Sequence, residues 1–261
     1  MNFLNLADFP LDQPDSAAYR TLVQRCQAAL AQDGMFNLDG FLNADAAQAE
    51  ANAHMPLMES ESFLHARRHN AYFQKNVPGI APDHPALVEF ETSNNTLCAD
   101  QLQGSRVAQI YAWEPLQAFL AEVMEKPALY PMDDPLAAFN VMRYKEGQAL
   151  NWHFDRAEFT MTLLLQAPDT GGVFEYRTNL RTADDPNYDG VARLLAGNDP
   201  DMRQMNVIPG TLNVFRGVNT PHRVTPIKGD RARMIAVLTY FERPGVRFSE
   251  TEQLGFYGRT A

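Results

Sequence analysis

The sequence predicts an α+β chain in which helices come first and a run of short strands follows, closing into a double-sheet jelly roll or a barrel. Three observations carry that expectation. Apolar residues recur at helical spacing through much of the first half, whereas from Ala137 onward short apolar runs alternate with Gly- and Pro-bearing turns. No linker-like stretch divides the two halves, so the helices are expected to brace the β-core within one domain. Hydrophobic residues make up 45% of the 261, enough for the sizeable core such a domain needs.

Taken in order, Asp15 or Ser16 is placed to cap a helix running to about residue 32. Tyr19, Leu22, Val23, Cys26 and Leu30 fall on one face of it, and Gly34 ends it. Residues 35–42 read as a short strand, and Asn43-Ala44-Asp45 opens an Ala-rich helix to about residue 58. The polar-aromatic segment His65-Ala66-Arg67-Arg68-His69-Asn70-Ala71-Tyr72-Phe73 fits neither period and is assigned to a loop or an extended edge. Residues 87–92 are a candidate strand, 94–100 a turn leading into a helix, 114–123 a further helix and 127–135 a proline-punctuated connection.

Strands are then expected at 137–144, 149–153, 159–166, 173–176, 211–215, 222–225 and 233–241, separated by turns such as Thr170-Gly171-Gly172 and Pro209-Gly210. An insertion at about 177–205 holds one short helix near 190–196. The expected organisation is a single domain over 1–261: a helix-rich bracing and substrate-binding part to 136, a β-core at 137–243 and a tail at 244–261 that folds over the mouth of the core.

Charge narrows the function classes. The formal net charge of −10 argues against a nucleic-acid backbone or an anionic membrane as partner, since both reward basic patches. It leaves room for a local basic pocket. Cys26 and Cys98 alone imply no disulfide framework and suit a reducing compartment. The N-terminus has no basic region ahead of an apolar run, and no stretch approaches the roughly 20 apolar residues of a membrane helix. A cytoplasmic protein acting on a small molecule is therefore expected, with a homodimer open to it.

The chemistry concentrates in Asn151-Trp152-His153-Phe154-Asp155 and in Thr220-Pro221-His222-Arg223-Val224. On a strand, His153 and Asp155 point the same way. His-x-Asp alone is as readily a hydrogen-bonded pair. Here His222 arrives on a later strand, while His54, His65, His69 and His84 all lie in the helical half. His153, Asp155 and His222 together suit the two-His-one-carboxylate arrangement of non-haem Fe(II) oxygenases, which leaves one side of the metal open. Arg233 opens the apolar run Met234-Ile235-Ala236-Val237-Leu238. A guanidinium entering a core is costly unless it meets an anion, and it binds carboxylates in bidentate fashion. Arg231 has the same facing and competes for that role, and a strand-edge salt bridge is the plainer alternative.

The array His153-x-Asp155, Gly171-Gly172-x-Phe174, Pro209-Gly210-x-Leu212, Phe215-x-Gly217, His222-x-Val224-x-Pro226 and Gly229-x-Arg231-x-Arg233 resembles the Fe(II)/2-oxoglutarate-dependent oxygenases. That resemblance, carried by 137–241, implies a double-stranded β-helix (a jelly-roll or cupin-like core) with Fe(II), 2-oxoglutarate as cosubstrate and O2. It makes His153, Asp155 and His222 the catalytic metal ligands and matches Arg233 to the residue that binds the distal carboxylate of 2-oxoglutarate. Tyr144 and Thr162 match assisting positions, with Thr160 as the rival. Arg68-His69-Asn70-x-Tyr72-Phe73 and Ser93-Asn94-Asn95-Thr96 are also similar to a bacterial branch of carrier-independent amino-acid halogenases and their hydroxylating relatives. The halogenases carry a small residue in place of the metal-binding carboxylate. Asp155 is kept here, so the resemblance implies hydroxylation.

For the substrate, Arg68, His69 and Asn70 beside Tyr72 and Phe73, together with Arg156, suit a small polar molecule with a carboxylate, such as an amino acid or a derivative. Arg68 and His69 are equally suited to tying the helical half to the β-core, and Arg156 to being a solvated strand-end charge. Two other functions stay open on the residues alone: a cupin-like metalloenzyme that does not use 2-oxoglutarate, and a non-catalytic ligand-binding module.

Overall fold

A computed structural model of the chain describes residues 1–74, 77 and 79–261. The first helix, α1 (Ala17–Asp33), starts where the Ser16 hydroxyl accepts from the Tyr19 N–H. It stops at Gly34, whose φ of 73° is a left-handed conformation glycine adopts without strain. Strand β1 (Met35–Leu38) is shorter than expected, because 39–42 turn away at Gly40 into α2 (Ala44–Ser60). The polar-aromatic segment forms β2 (Phe63–His69), an edge strand, which was one of the two placements left open.

Two expectations change next. The strand expected at 87–92 starts later, as β3 (Phe90–Cys98), and it runs through the stretch read as a turn at 94–98. The inward residues of β3 are Thr92, Asn94 and Thr96, all buried, so no apolar alternation announces the strand. The helix expected to follow that stretch is α3 (Arg106–Tyr111), a short one that starts after Ser105, and α4 (Glu114–Val123) keeps its expected bounds.

The rest of the chain follows the turn signals. Its elements are β4 (Tyr130–Pro131), β5 (Phe139–Tyr144), β6 (Leu150–His153), β7 (Thr160–Gln166), β8 (Thr170–Gly171) and β9 (Phe174–Tyr176). The insertion contributes α5 (Tyr188–Leu195) and β10 (Arg203–Met205). Then come β11 (Leu212–Phe215), β12 (His222–Val224), β13 (Ile227–Lys228), β14 (Arg233–Leu238), β15 (Tyr240–Phe241) and α6 (Glu250–Tyr257).

Among the described residues, seven strands form one antiparallel sheet in the order β1-β11-β7-β14-β5-β3-β2. Four form a second in the order β10-β9-β12-β6. The two sheets face each other as a double-stranded β-helix, and the N-terminal helices cover the outer face of the larger one. Strand β14 shows how period-two alternation divides the work. Met234, Ala236 and Leu238 are buried in the cluster shared with α1, α2 and α4, whereas Arg233, Ile235 and Val237 face a cavity between the sheets. Burying a side chain the size of Met234 or Leu238 on the helix side is worth about 1.5–3 kcal/mol, so the packed helices hold the sheet that presents the cavity residues. No helix among the described residues is long and apolar enough to cross a membrane.

Candidate active site

Register brings the site together. Across the β12–β6 pair His222 lies opposite His153, and across the β14–β5 pair Arg233 lies opposite Tyr144. Each histidine is oriented through its Nδ1: His153 against the Asn151 carbonyl at 2.8 Å and His222 against the Thr220 carbonyl at 3.0 Å. That leaves both Nε2 atoms aimed at Asp155, 3.3 Å from Oδ1 for His153 and 3.7 Å from Oδ2 for His222. The Thr160 hydroxyl donates to Oδ2 of Asp155, and the Gly217 carbonyl accepts from the Asp155 N–H at 3.0 Å. Gly217 is required for its smallness, since a Cβ there would fall 1.9 Å from the Asp155 carboxylate.

The donor set fits a divalent iron. Ligand atoms of His153, Asp155 and His222 all lie within 4.8 Å of one another, and the two backbone-tethered imidazoles have the outer hydrogen bonds that fix ring orientation at metal sites. Burial pushes the His222 imidazole down to about 4, favouring the neutral form that binds metal. Burial by itself would raise the Asp155 carboxyl. His222, His153 and the Thr160 hydrogen bond prevail and hold it well below the usual carboxylate range.

A cavity of about 330 Å³ opens on the triad. Arg233 is 4% exposed and lines its depth, and among the described residues its guanidinium has no ion pair or hydrogen bond. A buried cation without a counter-charge is costly, so the cavity is built to receive an anion at that point. Tyr144, 1% exposed, lies beside it with its ring centre 6.0 Å from the guanidinium carbon. Thr162 also lines the cavity, while its rival Thr160 is committed to Asp155. Arg231 instead meets Gln48 at the surface, 2.8 Å away.

The candidate substrate residues separate. His69 lines the cavity, with its Nε2 2.7 Å from the Thr92 hydroxyl. Arg156 reaches the cavity from an exposed position and pairs with Glu252 at 3.2 Å. Arg68 does not reach it. Alternation along β2 turns Arg68 to solvent, where it meets Glu89 at 3.5 Å, and turns its neighbours His65, Arg67 and His69 inward. Asn70 is buried behind the wall, its side chain holding the backbone of Tyr72 and Gln74. The inward residues that sequence reasoning missed are Arg67 and the polar row Thr92, Asn94 and Thr96. Assigning 63–69 to a strand would have signalled Arg67 through the period-two rule. From the C-terminal stretch, Phe248, Phe256 and Tyr257 line the cavity.

His69 carries a pH prediction. Burial, assisted by the charges of His153 and Arg67 and opposed by the Asn70 carbonyl, lowers it from 6.5 to about 4. The unfolded chain therefore takes up a proton below about 6.5 that the folded chain refuses, so the His69 contribution is complete above 6.5 and is lost as pH falls toward 4. Urea midpoints of metal-free protein should fall across that interval, and less steeply in His69→Gln. Parallel slopes would refute the assignment.

A family profile described as HalD, Halogenase D, matches residues 19–251. Among solved structures the chain is similar to AviO1 from Streptomyces viridochromogenes, at 17% identity, a TM-score of 0.55, and coverage of 85% of this chain and 96% of that one. It is also similar to an oxidoreductase of the 2OG-Fe(II) oxygenase family from Burkholderia pseudomallei, at 14% identity, a TM-score of 0.52, and coverage of 86% and 92%. A third structure is the epimerase SnoN in complex with Fe3+, alpha ketoglutarate and nogalamycin RO, at 15% identity, a TM-score of 0.52, and coverage of 85% and 84%. No curated protein matches the chain by sequence.

Proposed function

The chain belongs to the Halogenase D family within the Fe(II)/2-oxoglutarate-dependent oxygenases, and we propose that it hydroxylates an unactivated C–H bond of a small polar metabolite, a free amino acid or a derivative. Asp155 carries this reading. Its carboxylate fills the third ligand position that the halogenases free for halide, and Thr160 and Gly217 are arranged around it.

Iron with 2-oxoglutarate supplies the oxidant: overall, substrate C–H, O2 and 2-oxoglutarate become C–OH, succinate and CO2. His153, Asp155 and His222 would hold the metal through two imidazoles and one carboxylate. Arg233 would receive the distal carboxylate of the cosubstrate, a guanidinium being suited to bidentate pairing, with Tyr144 and Thr162 lining the same cavity. Phe174, Phe215 and Ile235 keep the reacting region poor in water, which strengthens each of these electrostatic contacts. The acidic net charge supports a small-molecule partner over nucleic acid or membrane, and the free Cys26 and Cys98 suit a reducing compartment such as the cytoplasm.

The test is product mass after reaction with amino acids in the presence of chloride. Gain of one oxygen is expected. A product in which chlorine replaces hydrogen would overturn the hydroxylase reading.

A further inference from the structure

The cavity contains a second guanidinium without a counter-charge. Arg67 is half-buried, its Nε is buried without a hydrogen-bond partner, and it forms no ion pair among the described residues. Its carbon sits 4.3 Å from the Phe73 ring centre and 5.6 Å from that of Phe256 on α6. Phe73 in turn is 5.9 Å from the His153 ring. The guanidinium is thus held between two aromatic faces, which orient it and leave its in-plane donors free. The neighbouring Arg156 differs, because Glu252 already neutralises it.

Acids are as informative as bases here. Among the described residues lining the cavity, Asp155 is the one carboxylate, and it is committed to the metal centre. Both hydroxyls in the polar row of β3 are also engaged within the protein. The Thr96 hydroxyl donates to Asn94 at 2.7 Å, and the Thr92 hydroxyl accepts from the Asn151 N–H at 3.0 Å. An α-ammonium stays beside the substrate's own carboxylate, whereas a second cation on the far end of a substrate would meet arginines and aromatic rings here, with no anion to receive it.

We propose that Arg67 anchors the substrate carboxylate and that the remainder of the substrate is uncharged beyond an α-ammonium, so that neutral-side-chain amino acids are taken and diamino acids are refused. This rests on the oxygenase reading of the same cavity and names the substrate class within it. With Arg233 on β14 taking the cosubstrate and Arg67 on β2 the substrate, each carboxylate has its own guanidinium.

The experiment is calorimetry on Zn(II)-substituted protein saturated with 2-oxoglutarate, which reads binding without turnover. Leucine, methionine and glutamine are compared with lysine and ornithine. At least one neutral amino acid is expected to bind, and both diamino acids at least about tenfold more weakly. Arg67→Gln is expected to weaken the neutral ligand by about tenfold or more, with 2-oxoglutarate affinity unchanged. Arg67→Lys, which keeps the charge and loses the planar fork, should fall between. Lysine or ornithine binding as tightly as the best neutral amino acid would overturn the proposal. So would an unchanged affinity in Arg67→Gln, or no binding by any of the three neutral amino acids while 2-oxoglutarate still binds. A chlorinated product would defeat the hydroxylase reading and leave this result standing, whereas failure of 2-oxoglutarate itself to bind would defeat the oxygenase site as a whole.

Discussion

Asp155→Gly is expected to abolish hydroxylation, the largest effect of any single change in this chain. The substitution removes one of three metal ligands and leaves His153 and His222 facing an open position. Losing an outer-sphere partner at a metal site typically costs roughly 10–100-fold in metal affinity, and losing a ligand costs more than that. The backbone has no reason to collapse. The Asp155 N–H keeps its bond to the Gly217 carbonyl, and both imidazoles keep their backbone tethers. Fe(II) titration and product analysis of the variant without halide check this directly. Iron binding and substrate oxidation at wild-type levels would mean that these three side chains are not the ligand set.

Arg233→Ala is expected to lose cosubstrate binding while leaving the metal site intact. Truncating one partner of a buried, hydrogen-bonded charge pair costs about 2–5 kcal/mol, which corresponds to roughly 30- to 4000-fold in Kd. The readout is the weak visible band of a metal-chelated 2-oxo acid, titrated anaerobically in wild type and variant. Arg233→Met sharpens the test because it fills the same volume. In the cosubstrate-free protein the guanidinium is buried without a counter-charge, and burial pushes its pKa down to about 10. Replacing it with an apolar side chain should therefore raise Tm without 2-oxoglutarate and remove the further rise that 2-oxoglutarate gives wild type. A Tm that falls in Arg233→Met, with cosubstrate affinity kept, would identify the arginine as a structural residue.

Much of this was legible before any coordinates. The turn glycines and prolines delimit the β-core closely enough that the expected strands at 137–144, 149–153, 159–166 and 211–215 overlap β5, β6, β7 and β11. The triad was readable because His153 and Asp155 stand two apart, the spacing that shares a face in extended chain, and His222 is the one histidine besides His153 in the strand-rich half; β6 itself ends at His153 and Asp155 lies just past it. Arg233 was readable because a charge at the head of an apolar run stands out in a linear string.

What escaped depended on which face of an element becomes the inside. On β2 the choice between Arg67 and Arg68 is a one-residue question of register, and only pairing with β3 answers it. The polar face of β3 looked like a turn because its inward side lines a cavity and not the apolar core. The aromatic residues of α6 become a wall only when the chain's end packs back against β2, with Phe256 stacked on His65 at 6.1 Å. The sequence by itself marked the His153, Asp155 and His222 set and the β-core through local periodicity and turn signals, and it marked Arg233 through its place at the head of an apolar run and the family resemblance, with Arg231 still competing. The tertiary structure alone decided the substrate-facing surface, because that surface is assembled from three elements distant in sequence whose side-chain directions are set by their mutual packing.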